Sequence, residues 1–207
     1  MVNKHFHNHF LIGGNGSLIS REGKTIYVQS FSNEQMQIIR ELIGKYQATY
    51  LIDSDWDYAY TGAADHPILN NLDPLKIAKR LPVESLANIV KVLVLSATDI
   101  EMLAEKLTLL GVVVHKHGDE NSLDISPENI NKWIALQKIG VEEKQFVAFG
   151  NDANDISMFQ KALYSVRIGD HKGLEEYTTE SVSLDENYEK KIIEKLEEIS
   201  LKFLEQV

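Results

Sequence analysis

The sequence predicts an α/β protein in which part of a doubly wound, Rossmann-like sheet is combined with a second, mostly antiparallel α/β domain. Two observations lead to this fold class. Strand and helix patterns alternate from residue 146 to residue 206, which is typical of a parallel sheet with crossover helices. Residues 17–125 instead give two similar runs in which strands outnumber helices, which favours antiparallel pairing. The 207 residues, 43% of them hydrophobic, suffice for one core plus a smaller domain.

Composition excludes several classes of partner and location. The formal net charge is −10 and no run of Lys or Arg stands out, so neither nucleic acid nor a membrane surface is expected as a partner. No apolar run approaches the roughly 18 residues of a membrane span, and the amino terminus lacks the apolar region of a signal peptide. The absence of cysteine is compatible with a reducing compartment. We therefore expect a cytoplasmic protein.

The antiparallel domain begins with a predicted hairpin, strands 17–20 and 25–28. A helix follows, with Ser32 as N-cap and Gln35 as its capping-box partner. The remaining predicted elements are strands 48–52 and 88–95, a helix 99–110 with an apolar stripe, and strands 112–117 and 122–125 joined by a turn at 118–121.

Three acidic residues alternate after the strand 48–52, at Asp53, Asp55 and Asp57. The EF-hand calcium loop also alternates in this way, but it requires Gly at the sixth position and Glu at the twelfth, and both are missing here. We interpret the segment as a solvated strand edge or a substrate-facing loop. The neighbouring aromatic residues either line a pocket mouth or pack in an ordinary way: Trp56, Tyr58 and Tyr60.

An acidic loop opens the parallel part of the chain. Residues 146–149 read as a buried strand that Gly150 ends, and a helical apolar pattern follows at Ile156, Phe159, Ala162 and Leu163. Four polar side chains crowd into the five positions between strand and helix: Asn151, Asp152, Asn154 and Asp155. Such a loop lies where open α/β sheets bind ligands, and oxygen donors suit a hard cation such as Mg²⁺. The alternative is an ordinary helix N-cap.

The elements that follow complete an alternating pattern. They are a strand 164–168, a short helix 171–177, an edge strand 181–184 and a long amphipathic helix 186–206 with its stripe at Ile192, Ile193, Leu196, Ile199 and Leu204. Upstream of the loop, Lys132 falls at the start of a predicted helix. A cation there opposes the helix dipole, which favours a functional role over a structural one.

The segment Gly150-Asn-Asp-Ala-Asn-Asp155 resembles the fourth motif, G-D-x-x-N-D, of haloacid dehalogenase-like phosphatases, with the Cof-type branch most similar. The resemblance implies a Mg²⁺ site at Asn151, Asp152 and Asp155. Asn151 stands where the family has an Asp, so either its amide or the Asp152 carboxylate supplies the first ligand. It also implies that Asn154 contacts the substrate and that Asp155 is catalytic.

The resemblance extends upstream. Asp124, Pro127 and Lys132 match the family's acidic residue, Pro and Lys, which implies that Lys132 is catalytic and neutralises charge on the transferring phosphoryl group. The stretch 14–17 matches the N-G-A/S sequence that opens the family's cap hairpin, which implies substrate contacts for Asn15 and Gly16. Residues 1–16 and 125–207 then correspond to a partial haloacid dehalogenase core, and residues 17–124 to an α/β cap domain that selects the substrate.

The nucleophile of the family is missing. Its D-x-D-G-T segment has an outline similar to residues 11–19, but Gly13 and Asn15 stand where the carboxylates belong, and neither can form an aspartyl-phosphate. The better alignment starts the chain after the family's first two motifs, as in a fragment or a truncated product. The core sheet would then lack its central strand, and we expect the exposed edge to be covered by another copy of the chain, as a homodimer, or by residues such as 6–12.

Two functions from different classes follow from the resemblance. The first is a Mg²⁺-dependent phosphatase of small phosphorylated metabolites such as sugar phosphates, in a chain that lacks the nucleophile. The alternative is a non-catalytic binding or dimerising remnant of such a phosphatase.

Overall fold

The computed structural model describes residues 6, 8–73, 76–117 and 122–204. The chain divides into two compact units, Met1–Ile139 and Gly140–Val207. Among the described residues, the first unit contains two sheets and the second unit contains one. The mixed α/β fold class is confirmed. The boundaries of core and cap, 1–16 with 125–207 and 17–124, remain predictions.

Three short antiparallel strands form the first sheet of the first unit, in the order β1 (Leu11–Gly13), β2 (Leu18–Arg21) and β3 (Lys24–Val28). The predicted hairpin is therefore confirmed. Its turn consists of Glu22 and Gly23, whose φ angles are 54° and 72°. Positive φ at both turn residues matches the right-handed twist of the flanking strands, and glycine adopts it at no steric cost.

A second sheet of five strands forms the body of the first unit. Its strands are β4 (Thr49–Asp53), β5 (Tyr58–Tyr60), β6 (Lys91–Ser96), β7 (Val113–His117) and β8 (Ser122–Ser126). They lie in the order β5-β4-β6-β8-β7 and every pairing is antiparallel, as the sequence predicts. Asp53 ends β4, which lies inside the sheet, and Asp55 and Asp57 lie in the connection to the edge strand β5. The predicted turn at 118–121 lies outside the described residues.

The described part of the first unit has four α-helices: α1 (Asn33–Lys45), α2 (Leu69–Leu72), α3 (Ile100–Thr108) and α4 (Lys132–Lys138). The predicted capping box starts α1, since Ser32 Oγ accepts from Gln35 N and Gln35 Oε1 accepts from Ser32 N, both at 3.0 Å. Asp99 caps α3 by accepting from Met102 N at 3.0 Å. These bonds satisfy amides that a helix start leaves without partners inside the helix.

The five-stranded sheet has one apolar face and a second face on which charged and apolar residues are mixed. Helices α1 and α3 pack on the apolar face, whose buried strand residues include Ile52, Val92, Val94 and Ile125. Asp53 lies opposite Lys91 in the ladder, and Asp124 lies opposite Leu93, two residues along the same strand. Because side chains alternate along a strand, these three charged residues project from the face that α1 and α3 leave free.

The second unit is a three-stranded parallel sheet with helices on both faces. It consists of β9 (Val147–Gly150), α5 (Ile156–Phe159), β10 (Tyr164–Ile168), α6 (Lys172–Glu175), β11 (Glu180–Val182) and α7 (Tyr188–Leu204), with strand order β11-β10-β9. Ala148 packs with α5 and α6, whereas Tyr164 and Val166 pack against α7. Within the described residues no helix has the length and apolar character to cross a membrane.

The helix after the acidic loop is shorter than its apolar pattern predicts. It ends at Phe159, and Leu163, the last residue of the pattern, is 49% exposed. The chain turns here to enter β10, and the Leu163 amide donates to the Phe146 carbonyl instead of continuing the helix.

The apolar stripe predicted for the last helix is only partly buried. Ile199 packs on the sheet with Ile192 and Phe203, but Ile193 and Leu196 are 57% and 49% exposed. The sheet below α7 has only three strands, so a narrow stripe of the helix suffices to cover it.

Candidate functional site

The acidic loop lies at the carboxyl end of β9, in the unit 140–207. Gly150 ends the strand, Ala153–Asp155 form one turn of 3-10 helix, and α5 begins at Ile156. The loop thus gathers four of the predicted site residues at the end of the sheet where α/β proteins bind ligands: Asn151, Asp152, Asn154 and Asp155.

Asp155 holds the backbone of this loop. Its side chain is buried, and its Oδ2 accepts hydrogen bonds from Asn151 N at 2.9 Å and from Asp152 N at 3.2 Å. A Cβ added at Gly150 would lie 2.6 Å from Asp155 Cγ, so the carboxyl group packs directly on the glycine. Bonds from two amides to a carboxylate are charge-assisted and fix the turn that presents Asn151 and Asp152.

Asp152 connects the loop to the segment after β10. Its Oδ1 accepts from Ala153 N at 2.6 Å and lies 3.8 Å from Nε2 of His171. Asn151 is exposed, and Asn154 is half-buried. The loop therefore presents amide and carboxylate oxygens next to an imidazole.

A basic residue of β10 joins the same end of the sheet. Arg167 is the ladder partner of Gly150, and its Nη1 donates to the His171 carbonyl at 3.4 Å. Arg167 Nε and His171 Nδ1 are buried and have no hydrogen-bond partner among the described residues. Neither residue was selected from the sequence, where the only signal is a charged side chain inside the strand pattern Y-S-V-R-I.

The donor chemistry of the loop fits Mg²⁺. This ion takes oxygen ligands and is often held by one or two carboxylates together with water and substrate phosphate. Asp155 already bonds two amides through Oδ2. The described part of the chain contains no group of three or more His, Cys, Asp or Glu side chains arranged to hold a metal. The carboxylate and amide oxygens of the loop are of the kind that a partly hydrated Mg²⁺ takes as ligands.

Lys132 is the first residue of α4, as predicted, in the unit 1–139. Its helix starts at the N-cap Asn131, whose side chain accepts from Ile134 N at 2.9 Å. Gly16 packs on this N-cap, since a Cβ there would lie 2.5 Å from the Asn131 carbonyl oxygen, and its φ is +111°. Both features require glycine. The turn Gly14–Gly16 therefore fixes the start of the helix that carries Lys132.

Asn15 links the same turn to the five-stranded sheet. Its Nδ2 donates to Asp124 Oδ1 at 2.8 Å and to Ser126 Oγ at 3.0 Å. Asp124 is buried and forms an ion pair with Lys91 at 2.8 Å. These partners compensate the burial of the Asp124 carboxylate. The substrate contacts expected for Asn15, Gly16 and Asn154 remain predictions.

A cavity of about 260 Å³ lies in the first unit, with Asp53, Trp56 and Tyr58 among its walls. Two of the three aromatic residues thus line a cavity, as one of the two interpretations expects. Tyr60 does not line it, because this residue is buried and its hydroxyl donates to the Ala63 carbonyl at 2.6 Å. Burial raises the pKa of Asp53 to about 6, although Lys91 acts in the opposite direction.

The comparisons with known proteins agree with this architecture. The model of the haloacid dehalogenase-like hydrolase family matches residues 1–173. No curated protein matches the sequence significantly.

Several solved structures are similar. A haloacid dehalogenase-like hydrolase from Bacteroides thetaiotaomicron has a TM-score of 0.70 and 19% identity, over 91% of this chain and 77% of that chain. A haloacid dehalogenase-like hydrolase from B. subtilis has a TM-score of 0.64 and 12% identity, over 84% and 74%. A sugar phosphatase of haloacid dehalogenase subclass IIB has a TM-score of 0.67 and 13% identity, over 88% and 73%. These similarities show the fold. The match of the family model to residues 1–173 establishes that the chain belongs to the haloacid dehalogenase-like hydrolases.

Proposed function

We propose that the chain is a Mg²⁺-dependent phosphomonoester hydrolase that acts on small phosphorylated metabolites such as sugar phosphates. The observation that carries this proposal is the loop 151–155, in which two carboxylates and two amides lie at the carboxyl end of a parallel sheet and the buried Asp155 fixes the backbone. The substrate class agrees with a similar structure being a sugar phosphatase.

Each residue of the site has a role in this proposal. Asn151, Asp152 and Asp155 hold Mg²⁺, which supplies positive charge next to the phosphoryl oxygens when bound. Asp155 also keeps the loop in place by accepting from two amides. Lys132 stabilises the negative charge that develops during transfer of the phosphoryl group. Asn15, Gly16 and Asn154 contact the substrate.

Hydrolysis by this chain alone requires a nucleophile other than the usual aspartate. Gly13 and Asn15 stand at the positions that resemble the family's carboxylates, and the Asn15 amide is already bonded to Asp124 and Ser126. An attack by water or by another side chain would have to replace the aspartyl-phosphate step.

A second candidate function is a non-catalytic binding or dimerising domain. The observation that favours it is β9, which among the described strands pairs with β10 alone. A strand with one free edge offers its amides and carbonyls to another chain. We therefore propose a homodimer in which this edge is covered.

Hydrolysis of p-nitrophenyl phosphate by the purified chain with Mg²⁺ tests the two candidates. The enzymatic proposal predicts turnover that falls at least about 100-fold in Lys132→Met, the size expected when one transition-state donor is removed. Lys106→Met is the matched control, because Lys106 is exposed on α3 and should leave turnover unchanged.

If the wild-type chain shows no turnover, its molecular mass in solution decides whether the second candidate holds. An inactive wild-type dimer by light scattering supports the second candidate. Turnover that is unchanged in Lys132→Met contradicts the role proposed for Lys132. An inactive monomer contradicts both the enzymatic proposal and the homodimer.

A further inference from the structure

We propose that Arg167 and His171 form an oxyanion subsite beside the acidic loop, which binds an oxygen of a phosphate group. The subsite would hold the phosphate of the substrate or the inorganic phosphate that hydrolysis releases. The choice of phosphate rests on the proposed function. The two residues lie outside every motif that marked the family resemblance, so the subsite adds a binding element to that function.

The alternation of side chains puts Arg167 on the same face of the sheet as Asp155. Ala148 of β9 packs with α5 and α6, so Gly150, two residues further on, has the same orientation. Asp155 packs on Gly150 from that side. Arg167 is the ladder partner of Gly150 on β10. The guanidinium and the acidic loop therefore lie at the same end of the sheet, on the neighbouring strands β10 and β9.

Among the described residues, the guanidinium of Arg167 has a single hydrogen-bond acceptor. Its one hydrogen bond, to the His171 carbonyl, is long at 3.4 Å, and its Nε is buried without a partner among the described residues. It also forms no ion pair with a described carboxylate. Buried donors in native proteins nearly always have a partner, and an uncompensated charge is costly to bury. An acceptor that bonds Arg167 is therefore expected at this position.

His171 supplies a second group to the same place. Its Nε2 faces Asp152 Oδ1 at 3.8 Å, while its Nδ1 is buried without a described partner. A Cβ added at Gly173 would lie 3.0 Å from His171 Cε1, so the ring packs closely on the start of α6. A phosphate group carries both hydroxyl and unprotonated oxygens, so it can form a hydrogen bond with this ring nitrogen.

The chemistry of the pair favours phosphate among small ligands. A guanidinium presents donors in a planar fork that matches phosphate and carboxylate oxygens. The loop also carries Asn151 where the family motif has an aspartate, which removes one negative charge near an incoming anion. A phosphate monoanion can both accept from Arg167 and donate to His171, whereas acetate can only accept.

Calorimetric titration of the purified chain with inorganic phosphate tests the subsite, in EDTA and in Mg²⁺. We expect Arg167→Met to weaken phosphate binding about 10- to 100-fold, the effect of losing a hydrogen bond to a charged group. Lys172→Met is the matched control. It removes the same charge from an exposed side chain of the same segment and should change binding less than about two-fold. Acetate should bind more weakly than phosphate.

A second variant keeps the test decisive if Arg167→Met does not fold. Arg167→Lys keeps the charge but lacks Nε, and it should bind phosphate more weakly than wild type and more tightly than Arg167→Met. Circular dichroism reports whether each variant is folded. If Arg167→Met does not fold, the comparison of Arg167→Lys with wild type decides.

The outcomes separate the subsite from the enzymatic proposal. Binding that depends on Arg167 in a chain without turnover supports the subsite and contradicts the phosphatase. The subsite is overturned if wild type binds no phosphate, if Arg167→Met binds as wild type does, or if acetate binds equally well. If wild type and Arg167→Met both turn over substrate and phosphate inhibits them equally, the phosphatase proposal is supported and the subsite is overturned.

Discussion

Replacing Gly150 by alanine should collapse the geometry of the acidic loop. The new Cβ would lie 2.6 Å from Asp155 Cγ and 2.7 Å from its Oδ2, closer than real Cβ contacts. Asp155 is buried and bonded to two amides, so it can move only by giving up those bonds. Overpacking costs about 1–3 kcal/mol, and each lost hydrogen bond to a charged group about 1.5–3 kcal/mol. We expect a loss of about 3 kcal/mol in the stability of the unit 140–207.

Hydrogen exchange locates this effect better than global unfolding, because the chain has two compact units that need not unfold together. The amides of Asn151 and Asp152 should exchange about 100-fold faster in Gly150→Ala, consistent with the loss of their acceptor.

Gly44→Ala is the matched control for the glycine change. Gly44 lies inside α1 and a Cβ there meets no atom within 4 Å, so alanine should stabilise the helix by about 0.5–1 kcal/mol. If Gly150→Ala leaves the exchange of both loop amides unchanged, Asp155 does not hold the loop as described.

Three further changes test other parts of the structure. Burial raises the pKa of Asp53 to about 6, above its value in an unfolded chain, so the folded state retains this proton longer and stability falls as pH rises from about 4 to 6. Asp53→Asn should remove up to about 3 kcal/mol of that fall, measured by urea titrations at about pH 4 and pH 7. Gly16→Ala places a Cβ 2.5 Å from the Asn131 carbonyl at a φ of +111°, and should destabilise the first unit by more than about 2 kcal/mol in urea. Ser32→Ala removes half of a capping box and should cost about 1 kcal/mol in the same assay, whereas no change would mean that Gln35 alone satisfies the helix start.

Local patterns predicted the elements whose causes are local. The capping box of Ser32 and Gln35 and the strand Tyr164–Ile168 were both expected from neighbouring residues alone. The loop 151–155 was expected because its four polar residues are consecutive or nearly so. In each case the hydrogen bonds or the alternation that create the element involve residues a few positions apart.

Other features of the fold and of the site depend on contacts between residues far apart in the sequence, which hydrophobic periodicity does not predict. Ile193 and Leu196 fit the helical stripe of α7 but are exposed, because the width of the underlying sheet decides how much of the helix is covered. Arg167 approaches the acidic loop only through the parallel register with Gly150, 17 positions earlier in the chain. Asn15 meets Asp124 through a side-chain hydrogen bond between residues 109 positions apart. Both contacts depend on the tertiary fold and have no local signal in the sequence.

We propose that Lys132 and the acidic loop act on the same bound phosphate group. A double-mutant cycle on phosphate binding with Mg²⁺ tests it most directly, using Lys132→Met, Asp155→Asn and the double variant. If both residues act on the same bound phosphate, their effects should be non-additive by at least about 1 kcal/mol. Effects that add within about 0.3–0.5 kcal/mol would show that Lys132 and Asp155 act independently, and would contradict the account.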